Sequence, residues 1–187
     1  MVKKTLYLAA NAVITGRVEL QEGVNIWFHC VLRGDVAGIH LGKRVNLQDA
    51  CVVHCDQGQD QEIGDGVVAG HRAILHGRKV GQGTLVGMGA ILLGGSEIGE
   101  ESLIAAGTVI KERAVIPARS LVAGVPGRIV RQVTDEEVKR TREINLRYLE
   151  LAEDYSLGRF PGPAEWRFLR LPAPWAGAFP ESLANKP

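Results

Sequence analysis

His54, His71 and His76 are the residues whose type and spacing are best suited to binding a metal ion. Sixteen residues separate the first histidine from the second, and four separate the second from the third. Neutral imidazole is a common zinc ligand, with Zn–N distances of about 2.0–2.1 Å. Three neutral ligands leave the ion its full positive charge, which lowers the pKa of a bound water more than thiolate or carboxylate ligands would. These histidines therefore predict a zinc site that activates water.

A six-residue repeat of aliphatic residues supplies the elements that must position these histidines. This period fits neither the 3.6 residues of a helical turn nor the two-residue alternation of a flat strand. It predicts short strands separated by corners, three to a coil, in an all-β solenoid of about six coils with an aliphatic interior. The anchors of the repeat are Ile14, Leu20, Ile26, Leu32, Leu41, Leu47, Val53, Ile63, Ala69, Leu75, Val80, Val86, Leu92, Ile98, Ile104, Ile110, Ile116 and Val122.

The end of the repeat defines the domain organisation. A hexapeptide-repeat β-helix domain is predicted over residues 1–125, where a Gly-Val-Pro-Gly segment interrupts the pattern. A linker and a C-terminal α-helix are predicted over 126–157, because Thr134 and Glu137 form a capping-box sequence and an apolar stripe continues to about Ser156. An irregular tail is predicted over residues 158–187, which are rich in proline and aromatic residues.

Stacking the anchors three by three predicts which functional side chains lie above one another. Arg33, His54 and His76 each follow an anchor of one face, so the two histidines should have backbones about 4.8 Å apart. Asp49 and His71 are one coil apart on another face. His71 precedes His76 by five nearly extended residues, roughly 15 Å, so a second chain would have to present it. Three subunits around a three-fold axis would build three equivalent sites.

The repeat spacing is interrupted directly after each member of the column Arg33, His54 and His76. Insertions in solenoids often lie on the binding face, so loops are predicted over 34–40 and 55–62 beside two of the histidines. The irregular intervals are nine residues from Leu32 to Leu41, ten from Val53 to Ile63 and five from Leu75 to Val80.

Other chemically active side chains have simpler interpretations. His29 and His40 are expected to be solvated or hydrogen-bonded surface residues. Cys55 could be a ligand or a redox thiol, although a lone cysteine more often packs as a small apolar side chain. Arg33 and Asp35 could form an ordinary surface ion pair or could lock adjacent chains together.

Composition limits the possible partners and compartment. The chain has 22 Lys and Arg against 21 Asp and Glu, a net charge of +1, so no electrostatic signal favours nucleic acid. Its longest uncharged stretch, 82–96, is shorter than the roughly 20 residues of a membrane-spanning helix, so no membrane association is expected. Three scattered cysteines do not form a secreted disulfide framework, which favours a reduced, cytoplasmic protein.

The motifs around the histidines resemble the γ-class carbonic anhydrase family over about residues 9 to 155. The resemblance implies a left-handed β-helix and a homotrimer in which His54, His71 and His76 bind zinc, or iron or cobalt, across the subunit interface. The quoted motifs are Arg33-Gly34-Asp35, Asn46-Leu47-Gln48-Asp49, Val53-His54, Gly70-His71, Leu75-His76-Gly77 and Val86-Gly87-Met88-Gly89-Ala90.

The resemblance also implies an activity, the reversible hydration of CO2 to bicarbonate by metal-bound hydroxide. It implies that Gln48 hydrogen-bonds this hydroxide and that Tyr148, on the C-terminal helix, approaches the metal. The residues that the same motifs imply at the subunit interface or behind the metal ligands are Arg33, Asp35, Asn46 and Asp49.

Two departures from the family pattern keep other functions open. Val36 follows Asp35 where the active archetype has a glutamate, and the acidic loop at 56–62 is short. Asp60 or Glu62 could then serve as the group that takes up the proton released by hydration. The alternatives are a hexapeptide acyltransferase that uses acyl-CoA, with one histidine as general base, and a non-catalytic, metal-bound trimeric scaffold.

Overall fold

The computed structural model describes residues 6–160 of the 187-residue chain. Within this range the chain forms eighteen strands followed by one helix, Asp135–Ser156 (α1). The strands are Tyr7–Leu8 (β1), Val13–Leu20 (β2), Asn25–Ile26 (β3), Val31–Leu41 (β4), Asn46–Leu47 (β5), Val52–His54 (β6), Gln61–Ile63 (β7), Val68–Ala69 (β8), Ile74–Leu75 (β9), Lys79–Val80 (β10), Leu85–Val86 (β11), Ile91–Leu92 (β12), Glu97–Ile98 (β13), Leu103–Ile104 (β14), Val109–Ile110 (β15), Val115–Ile116 (β16), Ser120–Ala123 (β17) and Arg128–Gln132 (β18).

The strands stack in parallel into three faces, which confirms the predicted solenoid of about six coils. On the first face Ile14, Leu32, Val53, Leu75, Leu92 and Ile110 are successive partners in register. The second face stacks Leu20, Leu41, Ile63, Val80, Ile98 and Ile116. The third face stacks Ile26, Leu47, Ala69, Val86, Ile104 and Val122. Each anchor predicted from the six-residue repeat therefore lies in its predicted column.

The interior of the solenoid is a continuous aliphatic core built from these anchors. Nearly all of them are buried, and only Ile14 and Leu20 of the first coil are partly exposed. Their exposure follows from their position, since the first coil has a neighbour on one side only. The core also contains Cys30, Cys51 and Cys55 as free thiols. Cys55 is 2% exposed and packs among apolar side chains, so the interpretation as a packed cysteine applies.

The predicted loop at 34–40 is wrong, because these residues belong to the continuous strand β4. β4 pairs with β2 on both sides of residues 35–38, with Gly16 opposite Gly34 and Val18 opposite Ile39. The extra residues form a bulge opposite Arg17, which increases strand twist without ending the pairing. Backbone approach here requires glycine, since a Cβ on Gly34 would lie 2.4 Å from the Arg17 carbonyl oxygen. The second interruption is a loop at 55–60, and β7 begins at Gln61.

Helix α1 begins and ends where the sequence predicts, and it packs on β1, β3 and β8 of the third face. Thr134 is the N-cap: its hydroxyl accepts from the Glu137 N–H at 3.2 Å, and its own N–H donates to the Glu137 carboxylate at 2.9 Å. The predicted linker contains β18, which pairs antiparallel with β17. The predicted tail lies outside the described residues beyond Phe160, and no helix within 6–160 is long and apolar enough to span a membrane.

Replacing Thr134 by alanine should reduce the free energy of unfolding by about 1 kcal/mol, because the first turn loses its side-chain acceptor. Urea denaturation followed by circular dichroism measures this change. Thr134→Ser is the matched control, since it retains the hydroxyl and should remain within a few tenths of wild type. Equal stability of wild type and Thr134→Ala would contradict the role of the cap.

Candidate metal centre

His54 and His76 lie side by side on the first face, one coil apart. His54 ends β6 and His76 directly follows β9, and these two strands pair in register. Their ring centroids are 5.1 Å apart, and His54 Nδ1 lies 3.1 Å from His76 Nε2. Two ligands on a tetrahedral zinc ion at Zn–N distances of about 2.0–2.1 Å would be about 3.3 Å apart. The facing nitrogens therefore fit two adjacent ligands of one ion.

Carboxylates lie beside the other ring nitrogens of this pair. His54 Nε2 lies 3.2 Å from Asp35 Oδ1, and His76 Nδ1 lies 3.7 Å from Asp56 Oδ1. Arg33 Nη1 donates to both oxygens of Asp35, at 2.9 and 2.7 Å, and this contact keeps the pKa of the Asp35 carboxyl below its usual value. An ionised carboxylate on the remote ring nitrogen is the arrangement that orients an imidazole toward a metal.

His71 occupies a different surface, beside the third face. It follows β8, and its Nδ1 lies 2.8 Å from Oδ2 of Asp49 on the preceding coil. The other oxygen of that carboxylate accepts from the Phe28 N–H at 3.2 Å. Because an ionised carboxylate can only accept, a neutral His71 carries its proton on Nδ1 and leaves the Nε2 lone pair available. The sequence-predicted pair Asp49 and His71 is therefore in direct contact.

Tyr148 reaches His71 from helix α1. Its hydroxyl lies 3.4 Å from His71 Nε2, and its ring packs edge-on against Trp27 with centroids 5.3 Å apart. Burial raises the pKa of the Tyr148 phenol, so the hydroxyl remains protonated near neutral pH. The helix thus places a neutral hydrogen-bonding group beside the free nitrogen of His71.

Gln48 and Asn46 form a buried amide pair on the same side as His71. Gln48 Nε2 donates to Asn46 Oδ1 at 3.2 Å, and both side chains are shielded from solvent. Gln48 directly precedes Asp49, so it lies in the corner that carries the Asp49–His71 contact. One N–H of its amide nitrogen is engaged by Asn46, and its carbonyl oxygen is the side-chain atom that can accept a hydrogen bond.

The structure brings the predicted residues together as two half-sites and not as one triad. One half-site contains His54 and His76, the other His71, and within residues 6–160 no three His, Cys, Asp or Glu side chains converge on a point that could hold a metal. The donor chemistry of both halves suits zinc, because each offers imidazole nitrogens oriented by carboxylates. A complete three-histidine site requires a second chain.

The two carboxylates predicted to take up the proton released by hydration lie near His40, whereas a different carboxylate lies beside His76. Asp60 accepts from the Gly38 N–H at 2.6 Å and lies 3.3 Å from His40, and Glu62 is in register with His40 on the second face. The loop carboxylate beside His76 is Asp56, which sequence reasoning missed. The position of Asp56 in the sequence, two residues after His54, could have identified it as a neighbour of the histidines.

His40 holds the 55–60 loop onto the solenoid. Its ring contacts Glu19 at 3.0 Å as well as Asp60, and Arg17 lies 4.0 Å from Asp60. The contact with Glu19, and then that with Asp60, raises the pKa of His40. The Gly38 N–H, with His40, lowers the pKa of Asp60.

These directions predict a pH-dependent contribution of His40 to stability. The contribution should be complete below about pH 6.5, the unfolded pKa of histidine, and should be lost as pH rises through the raised folded value. Urea unfolding of wild type and His40→Ala from pH 5 to pH 9 measures it, with an expected maximum difference under about 1 kcal/mol because the contacts are partly exposed. A difference that stays constant over this range, or that grows as pH rises, would contradict the assignment.

Comparisons with known proteins agree with these motifs. The family description "Bacterial transferase hexapeptide (six repeats)" matches residues 79–112. A probable carbonic anhydrase of Methanocaldococcus jannaschii is 48% identical over 82% of this chain and 96% of its own length. A carbonic anhydrase of Geobacillus kaustophilus is 40% identical over 80% of this chain and 82% of its own. The crystal structure of a hexapeptide transferase family protein from Anaplasma phagocytophilum superposes with a TM-score of 0.77 at 35% identity, covering 82% of this chain and 90% of that one.

The chain matches these carbonic anhydrases over about four fifths of its length. It also folds as a hexapeptide solenoid that carries the histidine motifs by which its sequence resembles the family. The chain belongs to the γ-class carbonic anhydrase-like family.

Proposed function

We propose that this protein is a metal-dependent carbonic anhydrase that interconverts CO2 and bicarbonate as a homotrimer. The observation that carries the proposal is the 3.1 Å separation of His54 Nδ1 and His76 Nε2, which fits two ligands of one ion. Zinc is the proposed metal, with iron or cobalt as the alternatives, because imidazole ligands suit all three. The carbonic anhydrases among the relatives support the same activity.

The third ligand of each site would be the partner subunit's His71. Within one chain His71 is separated from the other two histidines, while Asp49 orients its ring and leaves Nε2 available. A closed three-fold assembly would place this nitrogen against His54 and His76 of the neighbour at three equivalent interfaces. Arg33 and Asp35 lie beside His54, where their ion pair would contribute to the same interface.

A divalent ion held by three neutral imidazoles lowers the pKa of a bound water toward neutrality, an effect for which carbonic anhydrases are the standard example. The protein's own groups would orient the reactants. The carbonyl oxygen of Gln48 would accept a hydrogen bond from the reacting water, since its amide nitrogen is turned toward Asn46. Tyr148 would supply a neutral hydroxyl beside the partner subunit's His71. Asp35, Asp49 and Asp56 would hold the imidazoles.

Gln48→Ala tests the proposed role of this amide. The variant should retain one metal ion per chain, because Gln48 is not a ligand. Its CO2 hydration rate should fall roughly 10- to 100-fold, the range seen when outer-shell groups of metal sites are removed. Stopped-flow hydration assays and metal analysis of the same preparation measure both quantities. Metal-replete wild type with no hydration above buffer would refute the proposed activity and favour the metal-bound scaffold.

An acyltransferase that uses acyl-CoA is the second candidate, because the matched hexapeptide description and the Anaplasma neighbour are both named as transferases. This activity requires no three convergent imidazoles. Calorimetric titration of metal-free protein with acetyl-CoA separates the two candidates. We expect no binding, and tight binding would favour the acyltransferase.

A further inference from the structure

A ladder of buried amide side chains runs from the proposed reaction site to the start of the solenoid. Asn25 and Asn46 occupy the same repeat position on paired strands β3 and β5. Gln48 donates to Asn46 Oδ1 at 3.2 Å, Asn46 Nδ2 donates to Asn25 Oδ1 at 2.6 Å, and Asn25 Nδ2 donates to the Gly23 carbonyl at 3.2 Å. All three side chains are at most 5% exposed. These three amides therefore form one hydrogen-bonded chain with a single direction.

Trp27 sets that direction. Its indole N–H donates to Asn25 Oδ1 at 3.0 Å, and an indole nitrogen can only donate. The atom of Asn25 that it meets must therefore be the oxygen, so Asn46 must present its nitrogen to the same oxygen. Asn46 then offers its own oxygen to Gln48, which must respond with its nitrogen. The carbonyl oxygen of Gln48 is thereby assigned as the free end of the ladder.

Reversing any amide of the ladder would be unfavourable. A flipped Asn25 would place its NH2 group against two donors, the Trp27 indole and Asn46 Nδ2, in a buried environment where an unpaired polar group is destabilising. The fixed aromatic packing of Trp27 against Tyr7 and Tyr148, with centroids 5.0 and 5.3 Å apart, keeps the indole in place. The polarity of the ladder is thus imposed from its far end.

We infer that Trp27 and Asn25 are positioning residues that make Gln48 turn its carbonyl oxygen, and not its NH2 group, toward the reacting water. The inference rests on the proposed function, because it assigns these residues to the same reaction. Among the described residues neither side chain contacts the histidines, so Asn25 acts through Asn46 and Gln48. Trp27 acts through Asn25 and also packs against Tyr148, a ring contact that Trp27→Phe retains. Asn25→Leu, which preserves volume and removes the amide, should free Asn46 and Gln48 to rotate.

The expected effect is a roughly tenfold lower kcat for hydration in zinc-loaded Asn25→Leu, with one metal per chain retained. Trp27→Phe retains the ring packing and removes one donor, so its kcat should fall roughly threefold. In a Gln48→Ala background, Asn25→Leu should lower kcat no further, because residues acting through one group are not additive. Equal losses in the two backgrounds, or no loss in Asn25→Leu, would overturn the inference.

Asn145→Leu is the matched control for loss of a buried amide. Asn145 lies on α1, is 5% exposed and donates to the Arg44 carbonyl at 2.7 Å, outside the ladder. The kcat of Asn145→Leu should equal that of wild type, even if the melting temperature of this variant falls as far as that of Asn25→Leu. If Asn25→Leu does not fold, Trp27→Phe tests the inference, by comparison of its effect on kcat in the wild-type and Gln48→Ala backgrounds.

A readout independent of activity separates this inference from the proposed function. Hydrogen exchange of the Gln48 side-chain amide, followed by NMR, should be roughly tenfold faster in Asn25→Leu than in wild type, because the acceptor of its bond is no longer fixed. If wild type with bound zinc hydrates no CO2, the proposed function fails and this exchange rate still tests the ladder. Unchanged Gln48 exchange in Asn25→Leu would refute the positioning role.

Discussion

Replacing His71 by alanine should abolish metal binding and CO2 hydration while leaving the solenoid folded. His71 is proposed as one of three protein ligands, and a catalytic zinc site with two remaining ligands binds its metal far more weakly. We expect the metal content to fall below about a tenth of an ion per chain and the hydration rate to fall more than about 100-fold. Metal analysis and stopped-flow assays measure these losses. The partly exposed position of His71 makes a folding defect unexpected.

His29→Asn is the control for this experiment. His29 is a surface histidine whose ring contacts Asn11, and asparagine tolerates its backbone φ of 59°. The control should retain wild-type metal content and rate. A His71→Ala protein that keeps a full complement of metal would show that His71 is not a ligand.

Replacing Leu92 by alanine should produce the largest loss of stability among the changes considered. Leu92 is fully buried and stacks between Leu75 and Ile110 in the first-face column. Removing a core leucine side chain loses apolar burial and leaves a cavity, at a combined cost of about 2–5 kcal/mol. The unfolding free energy from urea denaturation measures the loss.

Val115→Ala is the comparison for a residue of the repeat that faces outward. Val115 is 71% exposed on the second face, so its truncation should change the unfolding free energy by less than about 0.5 kcal/mol. Similar losses in Leu92→Ala and Val115→Ala would contradict the assignment of inward and outward positions in the repeat.

The solenoid could be predicted from the sequence because one physical requirement recurs in every coil. Each corner-to-corner segment must bury one aliphatic anchor, so the six-residue period identifies the columns, including the stacking of Leu75 on Val53. The same argument places His76 beside His54, since each directly follows an anchor. The cap of α1 was equally local, because Thr134 and Glu137 are three residues apart.

The path of the insertions was not predictable from this pattern. A gap of nine residues between Leu32 and Leu41 is compatible with a loop, and only the pairing of β2 with β4 shows that the extra residues remain in a bulged strand. That pairing depends on the approach of Gly16 to Gly34. Composition alone does not distinguish this use of glycine from a turn.

The residues that support the site could be predicted only in part, because their positions depend on contacts between coils. Asn25 and Asn46 precede the stacked anchors Ile26 and Leu47, so their proximity could have been found from the repeat. The indole donor of Trp27 could not, because it depends on the direction of one side chain. Asp56 lies in a loop whose path the repeat does not determine.

Mixing two inactive variants tests most directly whether each metal site is shared between subunits. His54→Ala and His71→Ala, co-refolded in equal amounts, should form random trimers. About a quarter of the interfaces would combine an intact His54 and His76 with the partner subunit's intact His71. The account predicts recovery of about a quarter of the wild-type metal content and hydration rate, from two proteins that each show neither. No recovery in mixed trimers verified by native mass spectrometry would contradict the shared site.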